Sequence, residues 1–278
     1  MEKGIFCISI DTELLWGRIE NPTPFLDDAK KIRLVVKKLL SLFEKYQIPA
    51  TWAMAGEIFN PGDPLWHGPD IIKMIKTYPN QEIACHSFSH QIFDEKKISS
   101  QAAETEIKKC LKVARPLRFR SFVFPKNIIG HLEILKKYGF TSFRGPEQSW
   151  FTKIPELQKL FQILDFVLLL PPPISSPAKD PSGLINIPGS MYFVSARDLR
   201  KYIPQKFRLI RAQKGLNKAV KEKKIFHLWF HPIDFARETE KMFLGLEEIL
   251  KYAAQLKKEN KLQIKSMGQI TEDFLKQN

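Results

Sequence analysis

Hydrophobic residues near the N-terminus alternate: Phe6, Ile8 and Ile10 fall on one face of an extended chain, and Ile5, Cys7, Ser9 and Asp11 on the other. The pattern predicts a strand with its larger apolar residues on one side and smaller ones, ending in a carboxylate, on the other. From Asp27 to Tyr46 the period changes. Ile32, Val35, Val36, Leu39, Leu40 and Phe43 recur at helical spacing with lysines between them, which predicts an amphipathic helix. A second strand is expected over Ala50 to Gly56, after which apolar strand and helix keep alternating. Further strands are expected near 82–86, 120–124, 140–144, 184–188, 225–231 and 261–265. Helices are expected near 69–77, 100–114, 129–138, 208–223, 238–258 and 267–276.

Strands separated by helices need right-handed crossovers, so this order predicts an α/β fold around a mainly parallel sheet, open or closed as a barrel. Functional groups then belong beyond the strand C-termini. The Pro-rich stretch from Pro171 to Pro181 reads as a surface excursion, because a strand and a helix follow it. With no internal repeat or low-complexity tract, residues 1–278 are expected to form a single domain.

Composition narrows the class. The chain is 44% hydrophobic and 27% charged, which suits a globular core and excludes a disordered protein. No run reaches the roughly 18 apolar residues of a spanning helix, and the N-terminus has no signal-peptide pattern, so a cytoplasmic location is expected. Cys7, Cys85 and Cys110 form no C-x-x-C spacing and are read as reduced thiols. The 44 Lys and Arg exceed 30 Asp and Glu, a net charge of +14 that favours anionic partners such as lipid surfaces or phosphorylated substrates. No nucleic-acid recognition motif accompanies the charge, so nucleic acid is not an expected partner. Around Lys206 to Lys224, Leu209, Ala212, Leu216 and Ala219 form a stripe, with Arg211, Lys214, Lys218 and Lys221 assigned elsewhere on the helix. Such a helix suits peripheral contact with an anionic membrane at its inner face, or simply one face on the protein and one in water.

The chemistry-bearing residues sit at predicted strand ends. His86 and His90 form H-S-F-S-H directly after a strand, and imidazoles four apart can share one ion if the chain coils by about one helical turn. The alternative is two separately hydrogen-bonded loop histidines. Asp11-Thr12-Glu13 supplies two carboxylates at another strand end: one could complete a His₂-carboxylate set while the other takes a proton from water. In Ile225-Phe-His-Leu-Trp-Phe-His231-Pro232, His227, Trp229 and His231 share one face, and His231 is placed at the rim, where a histidine suits a general acid. His227, deeper in the strand, is expected to hydrogen-bond within the core.

Taken together, the Asp motif on the first strand, H-x-x-x-H after the third, a Pro-containing middle motif and a late His-bearing strand resemble the polysaccharide deacetylase (NodB-homology, carbohydrate esterase family 4) superfamily. The resemblance runs through most of the chain. It implies a distorted (β/α) barrel and a metal-dependent amide hydrolase that removes an N-acetyl group from an amino sugar, in a polysaccharide, a cell-surface glycan, or a lipid- or nucleotide-linked precursor. It further implies a divalent cofactor, commonly zinc, with Glu13, His86 and His90 as ligands, Asp11 as base and His231 as acid. The usual R-x-P motif is not intact in Arg120-Ser-Phe-Val-Phe-Pro125-Lys126-Asn127, which leaves Arg120, Lys126 and Arg144 as candidates for the cation that holds the base. Glu147-Gln-Ser-Trp150 is the nearest sequence to the family's Asp-Trp motif. Trp52, Trp150 and Trp229 are aromatic candidates for a sugar face, with packing as their alternative role. The rival readings are a hydrolase of a cyclic or non-sugar C–N amide on the same scaffold, and a catalytically degenerate glycan-binding module.

Overall fold

A computed structural model describes residues 1–149, 161, 164–165 and 168–277. Its centre is β1 (Gly4–Thr12), buried along its whole length. One flank of β1 pairs with β9 (Ile225–Phe230), and the other pairs with β10 (Leu262–Ile264) and then with β2 (Ala50–Met54), all in parallel. From β2 the parallel sheet continues through β3 (Gln81–Cys85), β4 (Ser121–Val123) and β5 (Ser142–Arg144). One segment then bridges the two ends of this curl. Its first half, β7 (Ile185–Asn186), pairs with β5, and its second, β8 (Met191–Tyr192), pairs with β9. Backbone bonds from Ile187 to Phe143 (2.9 Å) and from Gly189 to Gly145 (2.9 Å) extend the first contact. Those from Ser190 to His227 (2.9 Å) and Phe193 to Trp229 (2.8 Å) extend the second. The sheet is thereby curled into the expected distorted barrel of mainly parallel strands.

The alternation along β1 sorts the core. Phe6, Ile8 and Ile10 join a large outer cluster with Ile32, Val35, Val36, Leu39, Leu40 and Phe43 of the helix Ile32–Tyr46. The opposite face contributes Ile5 and Cys7 to a small cluster with Ala53, Ala84, Val123, Ile185, Ile187 and Ile225, drawn from six strands or their continuations. This inner cluster is closed by Met267 and Ile270 of the helix Met267–Gln277. Higher on the same faces, Ser9 and Asp11 of β1 and His227 of β9 are polar and buried.

Several boundaries differ from expectation. The first helix does not start at Asp27: a short turn, Leu26–Ala29, precedes it, and the chain tightens where Lys31 N–H bonds Asp28 O. The helix expected from 129 starts at Leu132, because His131 adopts φ 55°. The strand expected over 184–188 is shorter because Pro188 has no N–H to give. The Pro171–Pro181 excursion joins the sheet edge: Ser175 bridges Ile225, and β6 (Ala178–Lys179) pairs antiparallel with β7. Cys7, Cys85 and Cys110 are free and buried. Among the described residues no helix is long and apolar enough to cross a membrane.

The basic helix, Gln205–Glu222, requires a correction. Arg211, expected away from the apolar stripe, lies on the buried face with Arg208, Ala212, Gly215, Leu216 and Ala219, all at helical spacing. Arg211 pairs with Asp165 and donates to Leu170 O (3.0 Å). Arg208 donates to the carbonyls of Val194 (3.0 Å), Ile203 (2.6 Å) and Arg200 (3.0 Å), and burial lowers its pKa to about 10. Replacing Arg208 by Met strands these carbonyls away from a donor. We expect Arg208→Met to cost about 3 kcal/mol, read as a lower urea midpoint; an unchanged midpoint would mean that the guanidinium does not hold this loop.

Candidate active site

The C-terminal ends of β1, β3, β5 and β9 converge on one polar centre. At the end of β1, Asp11 and Glu13 are both 3% exposed, too dry for carboxylates without partners. Asp11 is met by Arg144 from β5 in a two-pronged pair, Nη1 to Oδ1 and Nη2 to Oδ2, both 2.6 Å. Arg144 also donates to Ser9 Oγ (2.9 Å) and Asn127 Oδ1 (2.9 Å), and its guanidinium lies 4.5 Å from the centre of the Trp229 ring. Burial works against ionised Asp11, but Arg144 outweighs it and lowers the carboxyl pKa.

Glu13 faces the histidine pair. Its Oε2 lies 2.9 Å from His90 Nε2 and 3.5 Å from His86 Nε2, while Oε1 accepts from Arg18 Nη1 at 3.0 Å. Burial would raise its pKa, yet His90, His231 and His86 together hold it well below the ordinary value. The two histidines converge without the expected helical turn. Ser87 and His90 take left-handed backbone angles (φ 58° and 60°), and the Glu106 carboxylate accepts the N–H groups of Phe88 (3.1 Å) and Ser89 (2.8 Å), folding the loop back. Gly17 packs against Glu13 so closely that a β-carbon there would lie 1.9 Å from Oε1.

These three residues fit a metal ion. One donor atom from each of Glu13, His86 and His90 lies within 4.8 Å of the others. His86 Nδ1 bonds Val123 O (2.8 Å), so in the neutral ring Nε2 carries the lone pair, and that buried nitrogen has no hydrogen-bond partner. A lone pair shut away from water and aimed at a carboxylate is what a cation would satisfy.

His231 stands at the opposite wall of the centre. Its Nε2 is 3.8 Å from Glu13 Oε1 and 3.9 Å from Asp11 Oδ2, and its Nδ1 is 3.0 Å from Asp234 Oδ2. Burial disfavours the imidazolium, but Glu13, Asp234 and Asp11 reverse this and push the pKa up to about 9. His227, two residues earlier on the same face, meets Ser9 Oγ at 2.9 Å, and burial with the nearby Arg144 lowers its pKa to about 3.

The other sequence candidates separate. Arg120 precedes β4, at the opposite end of the barrel; it is 57% exposed and pairs with Glu272, so it does not reach Asp11. Lys126 lies 3.7 Å from Glu20 and lines a cavity of about 410 Å³ with Trp16, Arg18 and His90, outside the Asp11 pair. Trp229 stacks on Arg144, and its Nε1 donates to Glu147 (2.6 Å), whose pKa burial raises. Trp52 is fully buried beside Phe43, and Trp150 lies outside the described residues. Sequence reasoning missed Arg18, Asn127, Glu106 and Asp234 as partners; only Asp234, three residues after His231, left a local signal.

A dry, polar centre thus lies at the strand C-termini of a distorted barrel, with a carboxylate and two histidines grouped as for a metal. Residues 25–142 match the Polysaccharide deacetylase family, and the resemblance to the polysaccharide deacetylase (NodB-homology) superfamily is borne out. That stretch contains His86 and His90 but not Asp11, Glu13 or His231. In fold, the chain is similar to a Mycobacterium smegmatis protein classed as a polysaccharide deacetylase (TM-score 0.72, 14% identity, 100% of this chain and 92% of the other). It is also similar to a Pseudomonas aeruginosa PAO1 protein of the same class (TM-score 0.66, 10% identity, 96% and 89%) and to Puue allantoinase (TM-score 0.68, 11% identity, 96% and 89%). No curated protein matches the chain in sequence.

Two outcomes follow. If Glu13, His86 and His90 hold a divalent ion, Gly17→Ala should displace the Glu13 carboxylate and weaken its binding at least about tenfold, measured by competition with a chromophoric chelator; unaltered affinity would remove Glu13 from the ligand set. In metal-free protein the His231 ring should titrate by NMR near pH 9, and Asp234→Asn should bring the midpoint down toward the ordinary value. Because the folded-state pKa is the raised one, the stability this group contributes is complete below about pH 6.5 and lost as pH rises through about 9.

Proposed function

We propose that the chain is a metal-dependent carbohydrate N-deacetylase that hydrolyses the acetamide of an amino sugar in a glycan or glycan precursor. The observation that carries this reading is the pairing of two differently held acids around one centre: Asp11 locked by Arg144, and Glu13 turned to His86 and His90. Glu13, His86 and His90 would hold a divalent ion, and a His₂-carboxylate donor set suits zinc. Such an ion, when bound, makes water a stronger nucleophile and polarises the acetamide carbonyl.

The chain's own groups supply the proton transfers. Asp11 stays ionised beside Arg144, and each carboxylate oxygen retains a second lone pair, so Asp11 takes the proton of the attacking water. Arg144 fixes that carboxylate against rotation, with Ser9, Asn127 and the Trp229 face holding the guanidinium in turn. His231 enters protonated, since its pKa lies at about 9, and gives the Nε2 proton to the departing nitrogen. Asp234, bonded to both the ring and the backbone N–H of His231, fixes which nitrogen faces the substrate. Acetate and a free amino sugar result. The same groups could open a cyclic amide, which would release no acetate.

The deciding experiment is metal analysis of purified protein together with an acetate-release screen over N-acetylated glycan fragments and precursors. Asp11→Asn and His231→Ala should each lower turnover by at least about 100-fold while zinc content stays near one per chain. Retained turnover in Asp11→Asn would eliminate the base assignment, and ring opening of a cyclic amide without acetate release would replace the sugar reading.

A further inference from the structure

Two of the three cysteines meet at the root of the loop that carries His86 and His90. Cys85 is the last residue of β3, directly before His86, and Cys110 lies on the helix Ser100–Val113. Their sulfur atoms are 3.1 Å apart although 25 positions separate them in sequence, and both residues are fully buried. A disulfide needs about 2.05 Å between sulfurs, so a further approach of about 1 Å closes the bond. Both cysteines belong to one apolar cluster with Ala103, Ile107 and Phe122, whereas Cys7 packs in the inner cluster with Ile5 and Ala53. Phe88 of the histidine loop packs against the first cluster. A β-carbon at Gly56 would lie 2.6 Å from the Phe88 ring and 3.2 Å from Cys110 Sγ, which sets the half-buried ring beside that sulfur. The loop is held there by the N–H groups of Gly56 and Glu57, which bond the carbonyls of Ser87 and Phe88 (both 2.9 Å). It is held again by Glu106, one turn before Cys110, which accepts from the Phe88 and Ser89 N–H groups. The two sulfurs thus belong to the two elements that anchor His86 and His90, and lifting of the loop opens a route to them.

We propose that Cys85 and Cys110 are a redox modification site: a peroxide converts the thiol pair into a disulfide, a reductant restores it, and the bond displaces the loop that carries His86 and His90. Formation of the bond is independent of the function proposed above, while its consequence for metal binding rests on the reading of Glu13, His86 and His90 as ligands. In the first step one cysteine sulfur attacks an oxygen of hydrogen peroxide. The O–O bond breaks, the departing hydroxide takes the thiol proton and leaves as water, and a sulfenic acid remains. In the second step the other sulfur displaces the sulfenic hydroxyl, which leaves as water with the second thiol proton. Two thiols and one peroxide thus give one disulfide and two waters; the sulfurs are oxidised and the peroxide oxygens reduced. With its partner 3.1 Å away, the sulfenic sulfur is trapped intramolecularly, which outruns attack by a second peroxide. The closing approach acts on the loop because Cys85 is joined directly to His86 and Cys110 shares a helix with Glu106, so both anchors shift. Displacement of groups that orient metal ligands weakens metal binding.

The test reads the bond and its consequence separately. The full chain, reduced and stripped of metal by a chelator, is exposed to hydrogen peroxide in native buffer, denatured in N-ethylmaleimide and analysed by intact mass and peptide mapping. The expected result is a fall from three alkylated cysteines to Cys7 alone, with a Cys85–Cys110 cross-linked peptide, and a return to three after treatment with a phosphine reductant. Three alkylated cysteines after exposure, a sulfinic acid in place of the cross-link, or a cross-link that forms only in urea would overturn the proposal. Zinc affinity is then measured by competition with a chromophoric chelator, after peroxide and reductant have been removed. Oxidised wild type should bind zinc about tenfold more weakly than reduced wild type and recover on reduction, while Cys110→Ser treated in the same way keeps its affinity; thermal melts establish that the variant folds. An equal loss in Cys110→Ser, or unchanged affinity in oxidised wild type, would overturn the effect on the loop. A reversible cross-link in a chain that binds no zinc in either state would count against the metal reading and the loop effect together, and leave the disulfide site standing.

Discussion

A buried ion pair between opposite walls of the barrel organises this protein. Asp11 ends β1 and Arg144 ends β5, and both are almost completely dry. Removing two charges from water costs several kcal/mol per ion, and the cost is offset only if nearly every donor and acceptor is matched. Here the match includes two short bonds between the pair, Ser9 and Asn127 as further acceptors, and the Trp229 face. Loss of either partner would leave a charge that the narrow interior cannot hydrate. The pair thus forces the upper barrel to be polar, while Ile5, Cys7, Ala53 and Val123 form an apolar layer beneath it.

From that constraint the proton inventory follows. His227 and His231 share one face of one strand, yet their pKa values are driven to about 3 and about 9. The lower site is buried and sits beside Arg144, so a second positive charge is excluded. The rim site is buried too, but Glu13, Asp234 and Asp11 surround it and favour the imidazolium. Two identical side chains are thereby divided into one that favours the neutral ring and one that favours the imidazolium by what lies one layer above or below. Glu13 and Asp11 are divided in the same manner: histidines surround one and an arginine grips the other.

Much of this was legible in the chain. The alternation from Ile5 to Asp11 identified both faces of β1, and the even spacing of His227, Trp229 and His231 put them on one face. The rule that functional groups lie beyond strand C-termini also separates the candidate cations. Arg120 begins its predicted strand and Arg144 ends its own, and only the latter lies at the polar end of the barrel. What sequence reasoning could not supply were contacts across long separations. Arg144 meets Asp11 through the closure of the sheet, and Glu106 meets the loop at Phe88 and Ser89 from another element, and no period in the sequence marks either contact. The fold of the H-S-F-S-H loop was misread for a related reason. Left-handed angles at Ser87 and His90 are sustained by a carboxylate from another element, and local propensity favours neither.

The net charge takes on a different meaning once the arginines are located. Arg144, Arg208 and Arg211 are buried and spend their charge on Asp11, on backbone carbonyls and on Asp165, so the surplus is not a uniform coat. The basic helix that looked suited to a lipid surface gives two of its arginines to the interior, and Lys214 bonds the carbonyl of Leu169. Arg18, Arg197, Arg200 and Arg237, by contrast, line a small cavity with Asp28 and with Asp234, the partner of His231. Where the chain places its arginines is thus something the total charge alone does not reveal.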